Sequence, residues 1–166
     1  MRLPRSYGVA SRQVIDKPVE LMDVMPTICD LAGIRTPAGV EGRSVLPLLR
    51  GEREWRAYLH GECASVAEAG SGMQYLTDGR TKYVWWPGQG REQLFDLERD
   101  PAECTDLAGA PAYASTLQRW RDRLLEELAG RPEAFVQDGA LRTLDGPTPR
   151  IVGDRKSTRL NSSHRY

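Results

Sequence analysis

The chain has 166 residues, carries 23 basic and 23 acidic side chains for a formal charge of zero, and is 40% hydrophobic. That length suits one ordinary domain, and the composition suits a globular chain rather than a disordered one. Balanced charge points to no nucleic-acid partner, and the absence of a long apolar run points to no membrane partner.

Cys29, Cys63 and Cys104 are widely spaced and odd in number. A disulfide framework is not expected from them, a reducing, cytoplasmic compartment is favoured, and each reads as a small buried apolar residue. The opening MRLPRSYGVASRQ shows no apolar run of the kind a signal peptide or anchor needs.

From Lys17, KPVELMDVMPTICDLAGI places Val19, Met22, Met25, Cys29 and Ala32 at helical spacing, interrupted at Pro26. Two helical pieces are predicted, with Pro26 in the first turn of the second and Gly33 ending it in the left-handed conformation. Beyond the loop RTPAGVEGR, Ser44 can cap a short helix through VLPLLRG, with Pro47 in its first turn and Gly51 as its stop. Neither helix would be stable alone, so each has to pack on something larger.

The period then changes. AYLHGEC (57–63), MQYLTD (73–78), TKYVWW (81–86) and EQLFDL (92–97) are short runs of β-forming residues. Asp78-Gly79 predicts a tight hairpin with positive φ at both central residues, and Pro87-Gly88-Gln89-Gly90 predicts a second reversal. In QLFDLERDPAECTDLA a strand end is followed by an acid-rich turn broken at Pro101 and by a short helix, AECTDLA.

After Pro111, the positions Tyr113, Leu117, Trp120, Leu124 and Leu128 define a long helix closed by Gly130-Arg131-Pro132. Its apolar stripe should cover one sheet face and leave Arg119, Arg121, Arg123, Glu126 and Glu127 in water. From Pro132 to residue 153 an extended arm lying on a neighbour is expected. The segment DRKSTRLNSSH, from Asp154, matches the translation of a common sequencing adapter, the alternative being a basic binding tail; residues 154–166 are therefore set aside as an artefact.

The fold class expected is α+β: a small antiparallel sheet of about four strands packed against a long C-terminal helix, preceded by short helices. The expected division is residues 1–52 as a helical lead-in, 53–131 as a subdomain of sheet and helix, and 132–153 as the arm.

Chemistry is sparse in this text. His60-Gly61-Glu62 has the H-x-E form of a zinc deaminase, but no P-C-x-x-C accompanies it, and His60 and Cys63 alone do not make a metal site. His60 is the single histidine before the tail, so no nucleophile has an evident base. Gly70-Ser71-Gly72 and Gly88-Gln89-Gly90 read as loops rather than phosphate cradles. Trp85-Trp86 beside Tyr83 could stack on a ligand, though packing is the preferred reading. No catalytic or metal-binding residue is expected on this chain.

Three phrases in order, PVELMDVMPTICDLAGI, VEGRSVLPLLRGE and TDGRTKYVWWPGQGREQLFDLERDPAECTDLA, resemble the C-terminal part of the sulfatases, of the alkaline phosphatase superfamily. There D-x-x-P-T-x-x-x-x-x-G, G-x-S-x-x-P-x-L-x-G and L-[FY]-D-L-x-x-D-P-x-E follow one another; each is weak alone, and the ordered set is specific. The resemblance covers Val14 to Ala108 closely. It implies an architectural role for FDLERDPAE, in which Asp96 and Asp100 accept backbone N–H groups and Pro101 leads into the short helix.

Sulfatases use a formylglycine made from the first residue of C-x-P-x-R or S-x-P-x-R, and a divalent cation, usually Ca2+, held by oxygen ligands. This sequence contains neither segment and no D-H-G. The resemblance therefore implies a fragment, inactive alone, of a parent that hydrolyses a small-molecule or glycan sulfate ester, with residues 1–52 the incomplete end of that parent's α/β domain. It also makes His60 and Glu62 the leading candidates for substrate contact, ahead of Lys82 and Trp85. The alternatives are a phosphate or phosphonate ester hydrolase of the same superfamily, and a non-enzymatic interaction module using Tyr83, Trp85 and Trp86.

Overall fold

The structure is a computed structural model that describes Tyr7, residues 13–63 and residues 72–144. The rest of the opening segment, Gly70-Ser71, the far end of the expected arm and the basic tail lie outside the described residues. The chain divides into two compact units, one taking the described residues up to Leu59 together with Thr77–Gly79, the other the remainder from His60.

In the first unit a 3-10 turn at Leu21–Asp23 runs directly into α1, Val24–Leu31. Pro26 lies in the first turn of α1, where its missing N–H breaks no helical bond, and Gly33 at φ 68° follows the helix end. The second piece, α2, spans Leu46–Leu49, buries Leu46 and Leu48 against α1 and is followed by Gly51 at φ 93°. So short a helix has almost no stability of its own.

What holds it is a set of bonds between the first two motifs. The Arg43 N–H donates to Asp23 Oδ1 at 2.8 Å, and the Val45 N–H donates to Thr27 Oγ1 at 3.0 Å. The Ser44 hydroxyl donates to Asp30 Oδ2 at 2.6 Å, and its oxygen accepts the Leu46 N–H at 3.3 Å. Arg56 adds Nη1 and Nη2 bonds to Asp23 at 2.8 and 2.7 Å, and a third to Glu20 at 2.7 Å. Burial would raise the Asp23 carboxyl, but Arg56 and the two backbone donors outweigh it and hold the group below the usual carboxylate range. Gly42 is required by close approach: a Cβ there would stand 1.9 Å from the Met22 carbonyl oxygen.

In the second unit β1 (Leu59–Cys63), β2 (Met73–Thr77), β3 (Thr81–Trp86) and β4 (Arg91–Asp96) form an antiparallel sheet in chain order. The β3–β4 register pairs Tyr83 with Leu94 and Trp85 with Glu92 on one face, and Lys82 with Phe95 and Val84 with Gln93 on the other. Tyr83, Val84 and Trp85 are all buried, so β3 is covered on both faces. A 3-10 turn at Pro111–Tyr113 leads into α3, Ala114–Leu128, whose buried Trp120, Leu124 and Leu128 pack it against β3. Trp85 meets Phe135 edge-on, with ring centroids 5.8 Å apart.

Several expectations are corrected. Between β2 and β3 only Gly79 has positive φ, at 88°. Arg80 lengthens the connection, so Asp78 is relieved of the left-handed conformation a two-residue turn would demand. That tight turn occurs instead at Asp138 (φ 51°) and Gly139 (φ 76°), joining β5 (Val136–Gln137) to β6 (Ala140–Leu141). The stretch after Pro132 thus folds back as a hairpin and buries Phe135 and Leu144, rather than simply extending.

No helix forms over AECTDLA. Asp100 Oδ2 accepts the Thr105 N–H at 2.7 Å, Glu103 is left-handed at φ 57°, and the chain returns to β4, where the Leu107 N–H donates to the Leu94 carbonyl at 2.8 Å. Aspartate side chains here offer the backbone partners that compete with a helical turn. Asp96 does accept the Glu98 and Arg99 N–H groups, each at 3.2 Å. Arg121 is not left to water; it turns onto the sheet and pairs with Glu92. Cys63 and Cys104 are exposed, and Cys29 is half-buried, so none is a fully buried apolar residue.

Candidate substrate-contact site

Strand β1 lies at one edge of the sheet, and alternation puts His60 and Glu62 on the same face, with Gly61 on the other. On β2 the corresponding inward positions are Gln74 and Leu76, and Gln74 is only 2% exposed. His60 Nε2 lies 2.8 Å from Gln74 Oε1, while Gln74 Nε2 donates to Glu62 Oε2 at 3.3 Å. Glu62 also pairs with Arg131 Nη2 at 2.9 Å.

Arg131 stands just beyond α3 and bonds Glu133 through Nη2 at 3.0 Å and Nε at 3.3 Å. Its guanidinium lies 5.8 Å from the Phe135 ring centre. Glu133 is almost fully buried, and the Arg131 bonds hold its carboxyl below the usual range against the opposing effect of burial. The Glu133 bonds, with those of Glu62, raise Arg131 further into the charged form. One polar chain therefore runs His60, Gln74, Glu62, Arg131, Glu133.

A second polar set in the same unit joins α3 to the sheet. Arg121 donates from Nε and Nη2 to the two Glu92 oxygens, both at 2.7 Å, and the Tyr83 hydroxyl donates to Glu92 Oε1 at 2.5 Å. Burial and the neighbouring carboxylate push the Tyr83 hydroxyl far up, which keeps it a donor. Burial would raise Glu92, but Arg121 and Tyr83 prevail and hold it low. This set reads as a structural clamp.

His60 and Glu62 are thus brought together through Gln74, whereas Lys82 and Trp85 are not brought to them. Lys82 is on the opposite face, bonded to Glu103 Oε2 at 2.6 Å and 5.6 Å from the Tyr75 ring centre. Trp85 is 2% exposed. With Tyr83 buried as well, no exposed aromatic platform forms at this strand; Trp86 is half-buried and donates to Gln93 Oε1 at 2.8 Å. Gln74, Arg131 and Glu133 escaped the sequence reading. The available signal was Gln74 itself, a polar residue at an inward position of an alternating strand, which has to find partners when buried.

No group of three or more His, Cys, Asp or Glu side chains among the described residues is arranged to hold a cation. With no C-x-P-x-R or S-x-P-x-R in the sequence, the calcium and formylglycine implied by the resemblance do not fit residues described here.

The four-stranded antiparallel sheet under one long helix, preceded by the interlocked D-x-x-P-T and G-x-S-x-x-P segments, defines the C-terminal region of a sulfatase of the alkaline phosphatase superfamily. The chain belongs to the family described as N-sulphoglucosamine sulphohydrolase, C-terminal, which it matches over residues 1–130. It is 36% identical over 130 residues to an arylsulfatase of Clostridium perfringens, covering 78% of this chain and 26% of that protein. It is 36% identical over 107 residues to a Delta 4,5-hexuronate-2-O-sulfatase of Bacteroides thetaiotaomicron, covering 60% and 21%.

Among solved structures, a 2-O GAG sulfatase aligns with a TM-score of 0.68 at 28% identity, covering 86% of this chain and 31% of that one. A phosphonate monoester hydrolase from Silicibacter pomeroyi aligns with a TM-score of 0.62 at 27% identity, covering 82% and 31%. This chain spans about a quarter of the length of the curated relatives it matches.

Proposed function

We propose that this chain is the C-terminal part of a hydrolase that cleaves sulfate esters of sugars, and that the 166 residues alone do not catalyse the reaction. The observation that carries the reading is the match over residues 1–130 to a sulfatase C-terminal family, without a nucleophile segment in the sequence. Curated relatives that include an arylsulfatase, a hexuronate 2-O-sulfatase and a choline-sulfatase support the ester class. Apolar side chains left open in the first unit, Leu21 at 90% and Ile28 at 59% exposure, support its being part of something larger.

In this reading the parent's upstream part supplies the formylglycine and its divalent cation, and this chain borders the substrate. His60 and Glu62 contact the sugar: the imidazole through its free ring nitrogen, and the Glu62 carboxylate by accepting a hydroxyl, while Arg131 holds that carboxylate in place. Polar contacts of this kind discriminate among sugars because an unmatched buried group is costly.

The purified chain, supplied with calcium or magnesium, should not turn over an aryl sulfate; measurable metal-dependent release of sulfate would overturn the inactivity. Sequencing the source DNA upstream should extend the open frame into C-x-P-x-R or S-x-P-x-R. A stop codon directly before Met1 would remove the enzyme reading. The likeness to a phosphonate monoester hydrolase favours phosphonate esters as the second substrate class, and comparing aryl sulfate with phenyl phosphonate turnover by the full-length protein separates the two.

A further inference from the structure

We infer that Gln74 is a positioning residue for His60, fixing the imidazole with its proton on Nε2 so that Nδ1 is offered as an acceptor to a sugar hydroxyl. The inference rests on the reading of His60 as a substrate contact. It follows from the direction each bond must have. A carboxylate only accepts, so the Gln74 amide nitrogen has to face Glu62 and its oxygen has to face His60. That oxygen also only accepts, so His60 Nε2 carries the proton.

Reversing the amide would set its oxygen against the Glu62 carboxylate and its NH2 against the ring N–H. Glu62 is not free to yield, because Arg131 grips it at 2.9 Å and Glu133 in turn grips Arg131. Gln74 is 2% exposed, so water does not readily replace either bond. His60 Nδ1 has no hydrogen-bond partner among the described residues. The ring is therefore held at one nitrogen and presented at the other, which is what an acceptor for a hydroxyl requires.

The test is 15N NMR of the full chain at about pH 8, where an ordinary imidazole is neutral. The only other histidine is His164, so assignment needs one substitution, His164→Gln. The expected spectrum shows His60 with an unprotonated Nδ1 and a slowly exchanging Nε2–H proton. Gln74→Met, of similar shape but without an acceptor, should lose that proton signal to exchange with water while the backbone amide spectrum of the sheet is retained. Should Gln74→Met not fold, Glu62→Met serves: with the carboxylate gone the amide direction is no longer dictated, and a mixture of the two ring tautomers is expected.

A protonated Nδ1 in the wild type, or an unchanged Nε2–H signal in Gln74→Met, would overturn the inference, as would a single unaltered tautomer in Glu62→Met. Adding glucose 6-sulfate to the wild type separates the underlying reading. A shift at His60 Nδ1 supports the contact, and no shift at saturating sugar overturns the contact while the tautomer result still decides the role of Gln74.

Discussion

Replacing Arg121 by Met isolates the clamp between α3 and the sheet, because methionine keeps much of the aliphatic stem and removes the charge. Two bonds of 2.7 Å to Glu92 are lost, and the carboxylate keeps only the Tyr83 hydroxyl among the partners described above. Each charge-assisted bond contributes roughly 1.5–3 kcal/mol when fully buried. Here the Arg121 and Glu92 side chains are 30% and 21% exposed, so water recovers part of the loss. The expected cost at pH 7 is about 2–3 kcal/mol, which lowers the melting temperature of a unit this size by roughly 10–20 °C.

The pH dependence is the sharper signature. In the wild type Glu92 is held low, so its contribution is present above the unfolded value of about 4.3 and is lost as pH falls through the folded value. In Arg121→Met burial is opposed by Tyr83 alone, the carboxyl rises, and the difference between the proteins narrows once both hold Glu92 protonated. Urea unfolding followed by tryptophan fluorescence at pH 7 and pH 4 measures both. A gap under about 0.5 kcal/mol at pH 7, or an equal gap at pH 4, would refute the account.

Gly42→Ala should unfold the first unit's motif junction, since the obstructing Met22 oxygen at 1.9 Å belongs to the backbone; hydrogen exchange at Val45 and Leu46 reports it. Gly61→Ala should cost less, about 1–3 kcal/mol, because the obstruction at 2.2 Å is the tip of the Tyr75 ring, and Tyr75→Ser should recover part of it in a denaturation series. Asp23→Ala should destabilise the first unit by about 3–5 kcal/mol by removing two of the three Arg56 bonds and leaving two backbone N–H groups unmatched, with the deficit shrinking in acid because the Asp23 carboxyl is held low in the folded chain. Trp120→Ala should cost about 3–5 kcal/mol in thermal unfolding, against under about 0.5 for the exposed Arg119→Ala.

The elements legible in the sequence were those fixed by local physics. The stripe through Trp120, Leu124 and Leu128 had to be a helix face, and Pro26 and Gly33 had to bracket α1 because proline and glycine leave the backbone few choices. The Asp-Gly pair was readable as a turn signal, but its geometry depended on the number of residues between the strands, which pattern alone did not give. AECTDLA failed as a helix because Asp106 took the Leu94 N–H across space and Asp100, just ahead of the segment, took the Thr105 N–H. The candidate site was half legible for the same reason. His60 and Glu62 stood out as chemistry, whereas Arg131 joins them only after the chain has passed through three further strands and a helix.

The sheet has two edges, and the one at β4 is partly covered by the chain itself. Along β4 the acid-rich phrase returns, and Asp106 and Leu107 occupy the Leu94 N–H and carbonyl that would otherwise face outward. A neighbouring chain arriving there finds no backbone ladder to extend at that residue. Growth of the sheet by stray strands is thereby hindered at Leu94. The acid-rich segment that reads in the sequence as a turn thus also acts as a terminator at that point of the sheet.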